Sequence, residues 1–397
     1  MTTTPSLITA DNPVQEDWDI LKKFLPAHWQ ELARQSGALK GLRKDKDPDT
    51  CLRLLLLHFG CGHSMRTTAA LAKTSGLADQ SDIAVFKRVR KSAAWLESLA
   101  QALFEERREM PGACPLPKLP GGLRLLDGTS VNESGPRGSL WRVHFSFRWP
   151  QMVCDRFRLT PAKGKGNGES LCYYPLERGD YVLADRGFCH AVGFRHALER
   201  GALVTVRLSQ SSVRLLDENG NPFPLKLKLR ALKNPGYTKE YSVIIHDKQA
   251  GSCTAPLKAR LCIIRKSHTA TALEQEKQRR RANKEHQQLA PETLFFARYI
   301  MVLSTFPVDE YSTSEVLELY RVRWQIELAF KRLKQIAQLG HLPKRDPQSV
   351  RAWINGKLFI ALLAEKMIAH AGAICPWGYA HEKKRESEKQ AHMEPLA

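Results

Sequence analysis

Residues 111–122, PGACPLPKLPGG, place four prolines and three glycines in twelve positions. Each proline removes a backbone donor and fixes φ, and each glycine removes the side chain that would hold a helical turn or a pleat. Neither helix nor sheet can run through such a segment. It reads as a linker, and the chain is expected to fold as separate parts on either side. A length of 397 residues, set against about 150 residues per domain, suggests two or three of them.

Before the linker, residues 14–110 carry helical patterning with one strongly apolar stretch, CLRLLLLHFG, and predict an all-helical domain over 1–110. Ser64 to Thr68 can cap a helix through AALAKTS, Gly76 ends it, and Ser81-Asp82 can cap a second helix bearing Lys87, Arg88, Arg90 and Lys91. Helix, glycine turn and basic helix is the outline of a DNA-reading helix-turn-helix. It is equally the outline of two packed helices with a solvated charge run.

After the linker, LRLLDGTSV, LWRVHFSFRW, QMVCDRFRLT and DYVLADRG read as strands between Gly, Pro and Asn turns, AVGFRHALER as a helix, and ALVTVRL as a further strand. That order predicts an α/β mixed sheet with flanking helices. Its first part spans 123–208, and a β-rich insertion with a polar, triple-arginine helix spans 209–292. A second part spans 293–374, with the strand ARYIMVLST, the long helix SEVLELYRVRWQIELAFKRLKQIAQL and an apolar helix over 352–374. Residues 375–397 read as a polar tail.

Charge narrows the partners. Lysine plus arginine exceeds aspartate plus glutamate by 61 − 41 = 20, which calls for a polyanion, with nucleic acid first. No apolar run approaches the ~20 residues a bilayer requires. The N-terminal MTTTPSLITADNPVQEDWD lacks the basic region of a secretory signal, so the protein is expected inside the cell. Nine scattered cysteines without a CxxC pair indicate neither a zinc site nor a disulfide framework.

The candidate chemistry lies in three places. Asp127 follows LRLL and Asp185 follows YVLA, so both carboxylates are expected where an apolar strand gives way to a turn. Singly, each is what a turn favours; their matched placement is the signal. On the long helix, Tyr320, Arg323, Glu327 and Lys334 fall within an arc of about 60° at 100° per residue, beside an apolar stripe that can pack on the sheet. A surface charge ladder is the alternative, since Arg323 and Glu327 are four apart.

The spacing Tyr320-x2-Arg323-x3-Glu327-x6-Lys334, in the context YRVRWQIELAFKRLK, resembles the YREK signature of the DDE transposases of bacterial insertion sequences, in the family named after insertion sequence four. LLDGTSV around Asp127 and GDYVLADRGF around Asp185 resemble that family's first two acidic blocks, in the same order. The resemblance spans roughly residues 120–365.

It implies a ribonuclease-H-like sheet with Asp127 on the first strand, Asp185 after the fourth and Glu327 on a later helix. It also implies an insertion between the second and third acids, a dimer that brings two element ends together, and cut-and-paste joining of those ends to target DNA. Family members place a tryptophan on the strand before the signature helix to hold a flipped base; here Tyr299 is the nearest aromatic. A location with the nucleoid, in the cytoplasm, goes with such a partner.

The residue types suit that chemistry. Cutting a phosphodiester requires both the attacking and the leaving oxygen to be stabilised, which two divalent ions about 3.5–4 Å apart can do. Mg²⁺, with Mn²⁺ as substitute, favours carboxylate oxygens such as those of Asp127, Asp185 and Glu327. Tyr320, Arg323 and Lys334 suit phosphate oxygens. In the N-terminal domain Lys87, Arg88 and Arg90 are the expected contacts to the element's terminal repeats. Two alternatives stand beside strand transfer: a metal-dependent nuclease or inactive DNA-binding derivative, and a non-catalytic protein whose charge serves RNA or an acidic partner.

Overall fold

The computed structural model describes residues 13–42, 46–108, 118–119, 122–133, 139–149, 153–162, 164, 167–247, 255–328, 331, 341–342 and 346–374. The chain divides into two compact units, residues up to 109 together with those from 333, and residues 110–332.

The first unit is helical. Its elements are α1 (Pro13–Lys22), α2 (Trp29–Gln35), α3 (Pro48–Cys61), α4 (Met65–Thr74), α5 (Asp82–Lys91) and α6 (Ala93–Arg108). The expected caps are present: Ser64 Oγ accepts from Thr67 N at 3.1 Å and Ser81 Oγ accepts from Ala84 N at 3.3 Å. Gly76 takes φ +70°, a left-handed conformation costly for any residue with a Cβ.

Trp18, Trp29 and Trp95 form an aromatic centre in which Trp95 Nε1 donates to the Trp29 carbonyl at 3.0 Å. Residues 347–374 correct the expected partition. The sequence places them with the sheet domain, yet they belong with the helical unit, and the Asn355 amide donates to the Ala93 carbonyl at 3.0 Å. Gly356 lies so close to Phe59 that a Cβ would approach its ring at 2.6 Å, so the helix packs there because position 356 has no side chain.

The second unit is a mixed sheet with helices. Its described strands are β1 (Leu123–Glu133), β2 (Ser139–Trp149), β3 (Val153–Pro161), β4 (Tyr181–Ala184), β5 (Leu203–Arg207), β6 (Leu215–Leu216), β7 (Thr238–Ile245), β8 (Leu257–Arg265) and β9 (Tyr299–Ser304). They lie in the order β3-β2-β1-β4-β5-β9-β8-β7-β6. The β1–β4 and β4–β5 pairs are parallel, and α7 (Ala191–Glu199) connects β4 to β5. The sequences YVLA and LVTVR are buried over most of their length, as strands covered on both faces require.

The stretch expected to be a β-rich insertion is not a separate sheet: β8 pairs with β9, and β7 and β6 follow, so it widens the central sheet. Within it lie α8 (Leu225–Arg230) and α9 (His268–Lys284), with α10 (Pro291–Phe296) at its end. Two of the three arginines of α9 form exposed i,i+4 pairs, Arg280 with Glu276 and Arg281 with Glu285, each at 2.9 Å.

Residues 111–117 and 120–121 of the linker lie outside the described residues. Lys118 and Leu119 dock on the sheet unit, where the Tyr311 hydroxyl donates to the Lys118 carbonyl. Strands β1 and β4 are tied by a buried ion pair, Arg124 Nη1 to Asp180 Oδ2 at 2.7 Å, and the same nitrogen donates to the Pro175 carbonyl at 3.0 Å. Removing one partner of such a pair costs roughly 3–5 kcal/mol, because the other charge stays buried. The two strands it fastens are those that lead to Asp127 and Asp185.

No helix among the described residues is long and apolar enough to cross a membrane.

Candidate active site

Asp127 does not end its strand. β1 continues to Glu133, and it is β4 that stops. The parallel register pairs Leu126 with Ala184, so the next residue on each strand, Asp127 and Asp185, comes at the same level of the sheet. The backbone N–H of Gly128 donates to Asp127 Oδ1 at 2.7 Å.

The third element reaches the same place from α11 (Thr313–Arg321). A capping box starts it: Ser312 Oγ accepts from Glu315 N, and the Glu315 carboxylate accepts from Ser312 N. The expected continuous helix is interrupted, because Val322–Trp324 tightens into a 3-10 turn before helix resumes at 325–328. Arg323 lies within that turn. Its Nη2 donates to Glu327 Oε1 at 3.0 Å, and its Nη1 stands 3.5 Å from Asp127 Oδ2. One guanidinium thus spans the first and third acids, and its buried Nη1 makes no hydrogen bond.

Tyr320 is not on the rim. It is buried, and its hydroxyl donates to the Ala184 carbonyl at 3.2 Å, where a surface position beside phosphate was expected. Burial pushes the phenol well above its usual range. Its place is structural, fastening α11 to the residue before Asp185. Tyr299, the expected aromatic substitute, is also in the core, with its hydroxyl donating to the Leu229 carbonyl at 2.8 Å. Lys334 lies outside the described residues.

Sequence reasoning missed Glu169. Its carboxylate lies against Gly128 and Gly187, where a Cβ at 128 would approach Oε1 at 2.9 Å and one at 187 would overlap Oε2. Arg142 Nη1 of β2 stands 3.7 Å from Oε1. Burial raises the Glu169 carboxyl above its ordinary value, and Asp185 adds to the rise. Burial likewise pushes Asp127 up to about 7, with the charges of Glu169 and Asp185 adding to it against the opposing pull of Gly128 N–H and Arg323.

Asp127, Glu169 and Asp185 are thus close enough to feel one another's charge, with Arg323 opposing it. Carboxylate oxygens are the donors that a hard divalent cation takes. Glu327 stands apart from that group, with its side chain 62% exposed and held by Arg323. Among the described residues no three His, Cys, Asp or Glu side chains are drawn together as a chelating set.

Of the expected DNA-reading cations in the first unit, Lys87 is exposed. Arg88 is buried beside Cys51, and Arg90 is held by Asp346 through Nε at 3.0 Å. Arg88 is thus withdrawn from the surface, while Arg90 remains half-exposed within its ion pair.

Residues 168–363 match the model of the transposase DDE domain. The chain is 31% identical over 376 residues to the putative transposase InsL of insertion sequence element IS186A from Escherichia coli K12, covering 94% of this chain and all of that one. It is 30% identical over 377 residues to the Escherichia coli transposase of insertion sequence element IS421, again covering 94% of this chain and all of the other. Among solved structures, the piggyBac transposase synaptic complex with hairpin DNA aligns with a TM-score of 0.41 at 11% identity, over 90% of this chain and 76% of that one.

Proposed function

The chain belongs to the insertion-sequence transposases with a DDE domain, and from that premise we propose how its residues cut and join DNA. Transposases of this kind depend on a divalent metal and act on DNA. In the proposed reading the sheet unit is ribonuclease-H-like, Asp127, Asp185 and Glu327 are the three acids, and the ion they hold is Mg²⁺, replaceable by Mn²⁺. Bound there, the metal would supply the Lewis-acid charge that stabilises the attacking and leaving oxygens of the phosphodiester.

The chain's own residues prepare the site. Asp127 and Asp185 present two carboxylates at one level of the sheet because β1 and β4 are parallel and in register. Glu169 adds negative charge from the side, in space left by Gly128 and Gly187. Arg323 keeps Glu327 turned toward Asp127, and its unsatisfied Nη1 is a donor for a phosphate oxygen. Lys334 serves as a second phosphate ligand. Tyr320 positions the helix through its bond to the Ala184 carbonyl.

The helical unit recognises the terminal repeats through exposed cations such as Lys87. Two copies bring two ends together, and the protein works at the nucleoid. The observation that carries the reading is the Asp127–Arg323–Glu327 bridge beside Asp185. The test is a strand-transfer assay with the full chain and DNA bearing the element's own ends. Joining to target in Mg²⁺ that stops on chelation supports it; nicking without joining under every condition contradicts strand transfer.

A further inference from the structure

The helix that leads to the third acid is seated on strands added between the second acid and the third. α11 packs against β7 and β8. On those strands Glu240 stands opposite Cys262, and Arg260 lies two residues from Cys262, so the two side chains share one face of the sheet. Arg260 grips Glu240 with both sides of its fork, Nε to Oε1 at 2.8 Å and Nη2 to Oε2 at 2.6 Å. The pair is largely withdrawn from water, with side chains 10% and 23% exposed. The hydrogen bonds from Arg260 hold the Glu240 carboxyl below its ordinary value, which keeps it ionised and an acceptor.

The ion pair reaches the helix from two directions. Glu240 Oε2 also accepts from Thr313 Oγ1, on the first residue of α11, at 2.5 Å. Arg260 Nη1 donates to the carbonyls of Phe306 and Pro307 at 3.0 and 3.2 Å, in the loop that leads from β9 to α11. A bidentate pair set in a sheet is stiff, and a hydroxyl bonded to its carboxylate is held with it. Further along, the helix has another anchor, the Tyr320 hydroxyl on the Ala184 carbonyl. Tyr320 lies seven residues after Thr313 and seven before Glu327, about 10 Å from each along a helix. A tilt about Tyr320 that moves Thr313 by about 1 Å therefore carries Glu327 about 1 Å the other way, a displacement that costs on the order of a hundredfold in rate.

We propose that Glu240 is a positioning residue for the reaction: fixed by Arg260 and bonded to Thr313, it sets where α11 holds Arg323 and Glu327 beside Asp127. This rests on the transposase reading, and it gives the added strands β7 and β8 a task at the active site, that of a seat for the third acid's helix.

Removing the Glu240 charge would leave Arg260 buried without it, so the test acts on the hydroxyl instead. Thr313→Val deletes the bond and keeps the shape, and Thr313→Ser keeps the hydroxyl. Asp247→Asn weakens a comparable pair, with Arg195 of α7, beyond the other end of β7. The full chain is held on a duplex from one end of the insertion sequence that encodes it, and single-turnover cleavage is followed as Mg²⁺ is titrated. Thr313→Val should need about tenfold more Mg²⁺ for half its maximal rate, with affinity for the duplex unchanged. Thr313→Ser and Asp247→Asn should stay within about twofold of wild type.

In chelator and without DNA, amides over 316–328 should exchange about tenfold faster in Thr313→Val, while those of β7 and β8 keep wild-type protection. A wild-type Mg²⁺ requirement in Thr313→Val, wild-type exchange over 316–328, no rescue by serine, or an equal shift in Asp247→Asn each overturns the proposal. A wild-type chain that cleaves end DNA in no divalent metal overturns the transposase reading itself, and the role in the reaction with it. The exchange result then still decides whether Glu240 holds the helix.

Discussion

The carboxylate of Glu169 lies against Gly187, two residues beyond Asp185, in space that any Cβ at 187 would fill. Its other oxygen is close to Gly128, next to Asp127. Glycine at these positions therefore admits a fourth acid between the two strands that bear the aspartates. Gly187 has no positive φ, so alanine there meets a clash with Glu169 and no conformational penalty.

Gly187→Ala and Glu169→Ala should each slow end cleavage by roughly ten- to a hundredfold, as loss of a group supporting a metal site does. The double variant should be no slower than the worse single one, because both remove the same carboxylate. Single-turnover cleavage rates decide it. Multiplying losses would mean that Gly187 acts by another route.

Asp127 gives the metal-free protein a pH dependence. Its carboxyl, ordinarily at 3.8, is pushed by burial up to about 7, so the folded chain holds a proton that the unfolded chain releases. Between those values the native state binds more protons, and stability falls as pH rises through the window and levels off above about 7. Asp127→Asn should remove that slope and be the more stable protein at the alkaline end, as urea unfolding in chelator would show. A metal needs the ionised form, so its affinity should rise with pH over the same range. An identical slope in Asp127→Asn would mean that another group titrates.

Tyr320→Phe separates anchoring from phosphate binding. Losing the bond to the Ala184 carbonyl should cost about 0.5–1.5 kcal/mol of stability. Cleavage should slow as the helix loosens beside Asp185, while affinity for cut DNA and its salt slope stay at wild-type values. Denaturant titration and anisotropy provide both measurements. A salt slope reduced by one unit would restore the tyrosine to the phosphate contacts.

Much of the site can be read from spacing, where the spacing is local. Arg323 and Glu327 pair as i,i+4 neighbours must, even across a 3-10 turn. The adjacency of Asp127 and Asp185 cannot be read so, since it depends on the register of two parallel strands 58 positions apart and not on either turn. Glu169 sits in the polar stretch GKGNGES, where a lone acid reads as solvated; the glycines following both aspartates are the available signal.

The burial of Tyr320 is not legible in the sequence, because helical phase gives the direction of a side chain and not the depth at which its neighbours bury it. The burial of Arg88 is hidden for the same reason. The segment over 347–374 is legible as a helix, but its partner is not, because an apolar stripe does not specify which other stripe it meets.

The most direct test of the account is single-turnover cleavage of end DNA by Asp127→Asn, Asp185→Asn and Glu327→Gln, in Mg²⁺ and in Mn²⁺, with affinity for the same DNA measured alongside. Each variant is predicted to cleave at least about a thousandfold more slowly while still binding the duplex, because each loses a charge that would hold the metal beside the reacting phosphate. Wild-type cleavage by any one of the three, with that DNA bound, would remove its residue from the metal site and contradict the assignment.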